Sequence, residues 1–350
     1  MVNRKGFSLV EVLISLVLGA FLIAGVGSLF VGQIRTSELS HAVNEAQENA
    51  RLALNLIARD LSQAGFMGDL DHTMLNVDAA VTFHGMNAAA PVAAADDCVG
   101  GDNNASFPNL ASSYSFRALH AEHKGAASLA TLEPCTSISS HTAVAGSDVL
   151  QLKRFIAAPG TSMADMPAGT DILDPIALSE SSNRYYAYAN FENIVFYPGD
   201  VATAPAWNTA VNGRVFQYQH HVWWVGDDDG QPSLFHRYLL RSGGVGKMSS
   251  VSGALVPGIE ALAFQFGLDV NGDFIPDRYI ATDDMTVQDW EGTNGKIITA
   301  KVEVLGRATS EDKQHKDTKT YTMSSGTFGP YNDTYHRILI STVVKLRNIQ

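Results

Sequence analysis

The sequence predicts an α+β fold in which one long N-terminal helix precedes a globular domain built on a largely antiparallel β-sheet. Two observations predict this arrangement. A helical pattern runs from residue 7 to residue 64 without a proline, and segments rich in β-branched and aromatic residues follow one another from residue 148 onward. No helical pattern separates these later segments, so we expect their strands to pair antiparallel.

The first half of the predicted helix is apolar enough to cross a membrane. At about 1.5 Å per residue, the apolar run 7–32 would span about 39 Å, which exceeds a hydrocarbon core of about 30 Å. Arg4 and Lys5 precede the run, and by the positive-inside rule they hold the N-terminus in the cytoplasm. A cleaved secretory signal has a shorter apolar core of roughly 7–15 residues, so we expect an anchor.

The second half of the helix, residues 33–64, is amphipathic. Gly65 follows this half directly, and glycine is common just after the end of a helix. The spacing of the apolar residues alternates between three and four, which predicts one buried stripe. We therefore expect this half to pack on a globular domain of residues 65–350. The predicted stripe consists of Leu39, Val43, Ala46, Ala50, Leu54, Ile57, Leu61 and Ala64.

Strand patterns dominate the second half of the chain. A cluster of turn-forming residues between the predicted strands 214–225 and 233–240 predicts a β-hairpin. Residues 75–146 are rich in Ala, Ser, Asn, Asp and Gly, which predicts long loops and short strands. The predicted strands are residues 148–156, 193–198, 214–225, 233–240, 258–270, 296–306 and 336–348.

Composition narrows the class of protein. The 350 residues, 45% of them hydrophobic, suffice for one sizeable core or two modest ones. The net charge of −12, without a cluster of Lys and Arg, argues against nucleic-acid binding. Cys98 and Cys135 are the only cysteines and lie beyond the membrane run. On the exported side we expect a disulfide that contributes about 4 kcal/mol, and the alternative is two unpaired thiols.

Glu11 interrupts the apolar run. A carboxylate at membrane depth costs about 2.5–3.5 kcal/mol, so it needs a partner. The segment "KGFSLVEVLISLVLGAF" resembles the leader and N-terminus of type IV pilins and pseudopilins. The resemblance implies that a prepilin peptidase removes a leader of residues 1–6 by cutting after Gly6 and methylates Phe7. It also implies that Glu11 pairs with the Phe7 amine of the same or a neighbouring subunit. The alternative is a snorkelling or lumen-facing carboxylate of an unrelated anchor.

Small residues recur at four-residue steps in the apolar run, namely Ala20, Ala24, Ser28 and Gly32. Such a ridge lets neighbouring membrane helices approach closely. The alternative is the ordinary Ala and Gly content of a membrane helix.

Later segments resemble minor pilins of the PilW family, namely residues 44–68, 146–155, 230–238, 256–280 and 337–348. This resemblance implies a minor pilin that helps prime type IV pilus assembly and is incorporated at or near the pilus tip. The implied partners are other minor pilins, the major pilin, a large tip adhesin, the prepilin peptidase and the inner-membrane assembly platform. The implied location is the bacterial inner membrane, with a periplasmic domain, and then the pilus tip at the cell surface.

Two other functions remain open on the sequence alone. One is a minor pseudopilin of type II secretion, of the J type, whose globular domain is usually shorter. The other is a membrane-tethered periplasmic binding domain or enzyme. The sequence has no G-x-S-x-G motif and no complete phosphate-binding loop, so we predict that the chain is not an enzyme.

Two histidine-containing segments are weak metal candidates. His120, Glu122 and His123 lie close together, but we expect a loop there and identify no further ligand. His220 and His221 are neighbours in a predicted strand. They should therefore point to opposite faces, where they cannot bind one ion together.

The segment "DVNGDFIPD" is a candidate calcium loop. Oxygen donors occur at positions 1, 3, 5, 7 and 9, namely Asp269, Asn271, Asp273, the carbonyl of Ile275, and Asp277. Phe274 replaces the turn glycine and Ile280 replaces the bidentate Glu, so we expect weak affinity of about 10⁻⁴ M. The alternative is a solvated turn between two strands. We predict no other cofactor.

Overall fold

The long helix is the first element of the structure, a computed structural model. Helix α1 spans Leu9–Leu61 and ends at Ser62. Gly65 then adopts a left-handed φ of +75°, and its amide donates a hydrogen bond to the carbonyl of Lys153. The predicted helix end is therefore about one turn too late. The structure describes residues 8–70, 72–76, 80–88, 91–92, 97–98, 103–125, 132, 136, 141–157, 182–200, 214–249 and 253–349.

The buried stripe of α1 is only partly the predicted one. Its C-terminal part, from Ala46 to Ala64, is buried as expected, with Leu54 half-buried. The prediction is wrong for Leu39 and Val43, which are exposed, while Ala42 is buried in their place. Alanines form the contact here because a β-strand passes very close to the helix, and larger side chains are turned outward.

Fifteen strands are seen in the described part of the chain. The first nine are β1 (Val81–Phe83), β2 (Leu119–His123), β3 (Asp148–Ala157), β4 (Tyr185–Ala189), β5 (Ile194–Pro198), β6 (Arg214–Asp228), β7 (Gln231–Ser242), β8 (Val245–Met248) and β9 (Val256–Pro257). The others are β10 (Ile259–Asp269), β11 (Arg278–Ala281), β12 (Lys296–Arg307), β13 (Tyr321–Met323), β14 (Gly326–Phe328) and β15 (Arg337–Lys345).

Strands β1 to β9 form one sheet, which runs in the order β1-β5-β4-β6-β3-β2; β7 also pairs with β6, and β8 and β9 pair with β7. Only the pairing of β1 with β5 is parallel in this described sheet. A second sheet has the order β11-β10-β12-β15 and is antiparallel throughout. Strands β13 and β14 form a separate hairpin. The prediction of a largely antiparallel α+β fold is confirmed.

Short helices connect some of these strands. A short helix α2 spans Val287–Trp290, and 3-10 helices span His72–Asn76 and Thr282–Asp284. The predicted hairpin is the turn between β6 and β7, where Asp229 and Gly230 both have positive φ.

The C-terminal part of helix α1 packs in a core that the two sheets share. This core joins α1 residues such as Ile57 to Trp223 of the first sheet and Phe264 of the second. Another core covers the opposite face of the first sheet and contains Trp224 and Phe216. The aromatic residues of β6 thus fill cores on both faces of the first sheet.

Candidate functional site

The carboxylate of Glu11 lies in the first turn of α1 and is part of its N-terminal cap. Ser8 Oγ accepts a hydrogen bond from the Glu11 amide at 3.2 Å, and Glu11 Oε2 accepts one from the Ser8 amide at 3.3 Å. This reciprocal pair is a capping box. The Ser-x-x-Glu spacing is its sequence signal, although the cap was not among the predictions for Glu11. Gly6 and Phe7 lie outside the described residues, so leader cleavage and the pairing of Glu11 with the Phe7 amine stay predictions.

The first half of α1 is exposed on every face. Leu9, Phe21 and Leu29 are 78%, 74% and 75% exposed. In the described part of the chain, α1 is the helix that is long and apolar enough to span a bilayer. Burying each such side chain gains about 1.5–3 kcal/mol, so this half requires lipid or neighbouring helices around it.

The ridge residues Ala20, Ala24, Ser28 and Gly32 lie on this exposed half. Ser28 Oγ donates to the carbonyl of Gly25 at 2.8 Å, which satisfies the hydroxyl within its own helix. The ridge can therefore meet an apolar neighbour without leaving a hydroxyl unpaired. Its use in helix packing stays a prediction.

The candidate calcium loop begins at Asp269, which is buried at the end of β10. Its carboxylate accepts hydrogen bonds from the amides of Gly272 at 2.6 Å and Phe274 at 2.8 Å. Burial raises the pKa of Asp269, but these amide hydrogen bonds outweigh burial and leave the pKa below its ordinary value. Phe274 has a φ of +64°, so it adopts the left-handed backbone that a turn glycine normally supplies.

The remaining loop side chains are exposed and also bind backbone amides. Asn271 Oδ1 and Asp273 Oδ1 each accept from the amide two residues further on, at 2.9 and 2.8 Å. Asp277 Oδ2 accepts from the amide of Val270 at 2.7 Å. The loop is thus a well-defined turn rich in oxygen donors. Calcium binding through these donors and the Ile275 carbonyl stays a prediction.

The segment containing His120, Glu122 and His123 is strand β2, so its prediction as a loop is wrong. Pairing with β3 extends it. His120 Nε2 lies 3.5 Å from Glu122, whereas His123 Nδ1 lies 2.7 Å from Asp148. Residues three apart in a strand point to opposite faces, so the strand separates the two histidines.

The prediction for His220 and His221 is confirmed. His220 is buried on one side of β6, with its Nδ1 2.9 Å from Ser106 Oγ. His221 lies on the other side, with its Nδ1 2.8 Å from Asp60 Oδ2. There it joins Asp60 and His236 in a cluster that was not predicted.

Cys98 is fully buried, and its Sγ lies 3.7 Å from His220 Nε2. Cys135 lies outside the described residues. The Cys98–Cys135 disulfide therefore stays a prediction.

Two family models match the chain. A prokaryotic N-terminal methylation motif matches residues 1–27. A model described as type IV pilus-assembly protein W matches residues 222–348, which run from within β6 to just beyond β15. No curated protein and no solved structure matches the chain.

The methylation motif and the exposed apolar half of α1 together define a class, the membrane-anchored type IV pilin-like proteins. The model over residues 222–348 is more specific. Together the two matches support a type IV pilin similar to the PilW family of pilus-assembly proteins.

Proposed function

We propose that this chain is a minor pilin that helps prime type IV pilus assembly and is incorporated at or near the pilus tip. The observation that carries the proposal is the difference in exposure between the two halves of α1. Its second half is covered by two sheets, whereas Leu9–Ile34 is exposed on all sides. An exposed apolar helix half joined to a folded domain suits a subunit that moves from a bilayer into a bundle of similar helices.

The size of the domain supports a position at the end of the fibre. Some 285 residues, from Gly65 to Ile349, follow the helix, and their described part forms two sheets that share one core, with a second core on the first sheet. A subunit within a fibre must fit against copies above and below it, whereas one at the tip needs partners on one side only. A broad domain is therefore tolerated best at the tip.

The proposed partners follow from the family. Other minor pilins and the major pilin would surround the apolar half of α1, and a large tip adhesin would contact the domain. The prepilin peptidase and the inner-membrane assembly platform would act before incorporation. We propose a single-pass inner-membrane location with the N-terminus in the cytoplasm and the domain in the periplasm, followed by the pilus tip at the cell surface.

A deletion strain tests the priming role. With retraction disabled, loss of this chain should sharply reduce the number of surface pili, and the wild-type chain should restore it. Normal pilus numbers would contradict priming. If type II secretion were lost instead while piliation stayed normal, the chain would be a minor pseudopilin.

Antibody labelling of sheared pili tests the position. We expect label at one end of each fibre. Label distributed along the length would contradict tip incorporation but would leave the priming role standing.

We also propose that loop 269–277 binds calcium weakly. Its oxygen donors and the left-handed backbone at Phe274 support this proposal. The loop would stiffen the connection between β10 and β11.

A further inference from the structure

We propose that Asp60, His221 and His236 form a binding site for a transition-metal ion of the zinc type. Each residue offers one ligand atom, and the three atoms lie within 4.8 Å of one another. The site is separate from the apolar half of α1 and from loop 269–277, and it does not depend on the proposed role in the pilus.

The β6–β7 hairpin brings the two histidines together. His221 and Trp223 are two apart in β6 and share a face, and His236 of β7 lies directly opposite Trp223. His236 is therefore a diagonal cross-strand neighbour of His221. Their rings meet edge to face with centroids 4.7 Å apart, while the His236 ring stacks on Trp223 at 4.1 Å.

The last turns of α1 place Asp60 over this face of the hairpin. Asp60 Oδ2 accepts hydrogen bonds from His221 Nδ1 at 2.8 Å and from Trp223 Nε1 at 2.7 Å. Asp60 Oδ1 pairs with Arg154 of β3 at 2.9 Å. The carboxylate is thus held in place by three side chains from two strands.

His236 has a buried ring nitrogen that the hydrogen bonds of this cluster do not account for. Its Nε2 is buried and has no hydrogen-bond partner among the described residues. A neutral imidazole nitrogen is the form that binds zinc and related ions.

An ion would take the place of the proton that His221 Nδ1 and Asp60 Oδ2 share. Ligand atoms around tetrahedral zinc are separated by about 3.3–3.5 Å. The widest pair, at up to 4.8 Å, must therefore close by up to about 1.5 Å, and the His221–Asp60 pair must open from 2.8 Å. The positive charge of Arg154 opposes a cation, so we expect weaker binding than at a cysteine-rich zinc site. Three protein ligands leave one position for water. The bound ion would tie the end of α1 to the β6–β7 hairpin.

The test uses the untagged full-length protein in detergent micelles. Excess Ca²⁺ is included, which occupies hard-oxygen sites such as loop 269–277. Titration with Zn²⁺ in a calorimeter should give one binding event. Titration with Co²⁺ should give the visible absorption band of a tetrahedral complex.

His236→Phe is the decisive variant, because a phenyl ring can keep the stacking on Trp223 but has no ligand atom. It should bind Zn²⁺ at least about tenfold more weakly and lose the Co²⁺ band. The matched control is His315→Phe, which alters a histidine stacked on His336 in a separate cluster. The control should bind like the wild type.

Several results would overturn the proposal. These are a wild-type protein without a Co²⁺ band, wild-type zinc affinity in His236→Phe, or loss of binding in His315→Phe only. If His236→Phe fails to fold, Asp60→Asn replaces it, because its amide oxygen still accepts from Trp223. Wild-type zinc affinity in Asp60→Asn would then overturn the site.

Discussion

Arg337 and Glu260 form a two-point ion pair in the second sheet, with Nε–Oε2 at 2.6 Å and Nη2–Oε1 at 2.7 Å. Arg337 begins β15 and Glu260 lies in β10, so the pair connects two strands that β12 separates. The same guanidinium also binds Asp317 at 3.0 Å and Asp333 at 2.6 Å. Burial lowers the pKa of Arg337, but the hydrogen bonds to Asp333 and Glu260 outweigh it and raise the pKa above its ordinary value.

Replacing this arginine should destabilise the domain strongly. Arg337→Met leaves Glu260 and Asp317 without their shared cation, and breaking a buried pair costs about 3–5 kcal/mol. Urea unfolding of the full chain in micelles, followed by tryptophan fluorescence, measures the loss. Arg214→Met is the control, because its pair with Asp69 is exposed on both sides and should contribute at most about 1 kcal/mol. Equal losses in the two variants would contradict the role of the buried network.

Gly306 allows α1 to lie against the second sheet. A Cβ at Gly306 would lie 2.7 Å from Ala50 Cβ and 2.9 Å from the carbonyl of Ala46. Gly306→Ala should therefore lower the free energy of unfolding by about 1–3 kcal/mol, since helix and strand must separate. Gly253→Ala is the control, because a Cβ there meets no atom within 4 Å. Thermal unfolding compares the two variants, and an unchanged Tm in Gly306→Ala would contradict this close packing.

His236 should make stability depend on pH on the acid side of neutrality. Its pKa is about 3 in the folded chain because of burial and the nearby His221 and Arg154, with Asp60 acting in the opposite direction. The ordinary value is about 6.5, so between pH 6.5 and about pH 3 the unfolded chain binds the additional proton. Above pH 6.5 the contribution of His236 to the free energy of unfolding is fully present. It is lost as the pH falls toward 3, by up to about 1.4 kcal/mol per pH unit.

His236→Phe should remove this contribution. Chemical unfolding at pH 7.5, 6 and 5, without added metal, should show a smaller loss of stability in the variant than in the wild type. His120 and His220 also have lowered pKa values because of burial, so part of the dependence should remain. An identical dependence in both proteins would show that His236 does not contribute.

The fold was predictable where one residue pattern decides the structure. The seven predicted strands lie on β3, β5, β6, β7, β10, β12 and β15, because their β-branched and aromatic residues fill two cores. The partners of α1 were not predictable in this way. Leu39 and Val43 fit the helical period, but the approach of Gly306 selects the alanine face, and that approach depends on residues about 260 positions away.

The candidate sites differ in the same way, because some lie within one short segment and one is assembled from distant segments. The sequence alone indicates Glu11 and the oxygen donors of loop 269–277, because each set is local. The cluster of Asp60, His221 and His236 is not local, since it needs the β6–β7 register and the position of α1 over the hairpin. In the hairpin, His221 pairs with Tyr238 and Trp223 pairs with His236. A correctly predicted hairpin register would therefore have placed the two histidines close together.

Glu11 should be needed for assembly through its charge. Glu11→Ala removes both the charge and the hydrogen bond to the Ser8 amide, whereas Glu11→Gln removes the charge but keeps a capping side chain. If pairing with the Phe7 amine is decisive, both variants should insert and be cleaved but be depleted from sheared pili. Immunoblots of membrane and pilus fractions measure this. Wild-type incorporation of Glu11→Gln would show that only the cap matters.

Calcium should stabilise the domain through loop 269–277. With a Kd of about 10⁻⁴ M, a concentration of about 10 mM would add about 2.7 kcal/mol by mass action. The Tm of the full chain should therefore rise with calcium and not with equimolar magnesium, which accepts only a small octahedral site. The double variant Asp269→Ala, Asp273→Ala should abolish the rise.

The matched control is Asp283→Ala, Asp284→Ala, which removes two exposed acidic residues just after β11 and should keep the calcium-dependent rise in Tm. Because Asp269 also accepts amide hydrogen bonds, the loop variant should start from a lower Tm, so the comparison is the calcium-dependent change in each protein. An equal change in both double variants, or none in the wild type, would leave this segment as a turn between two strands.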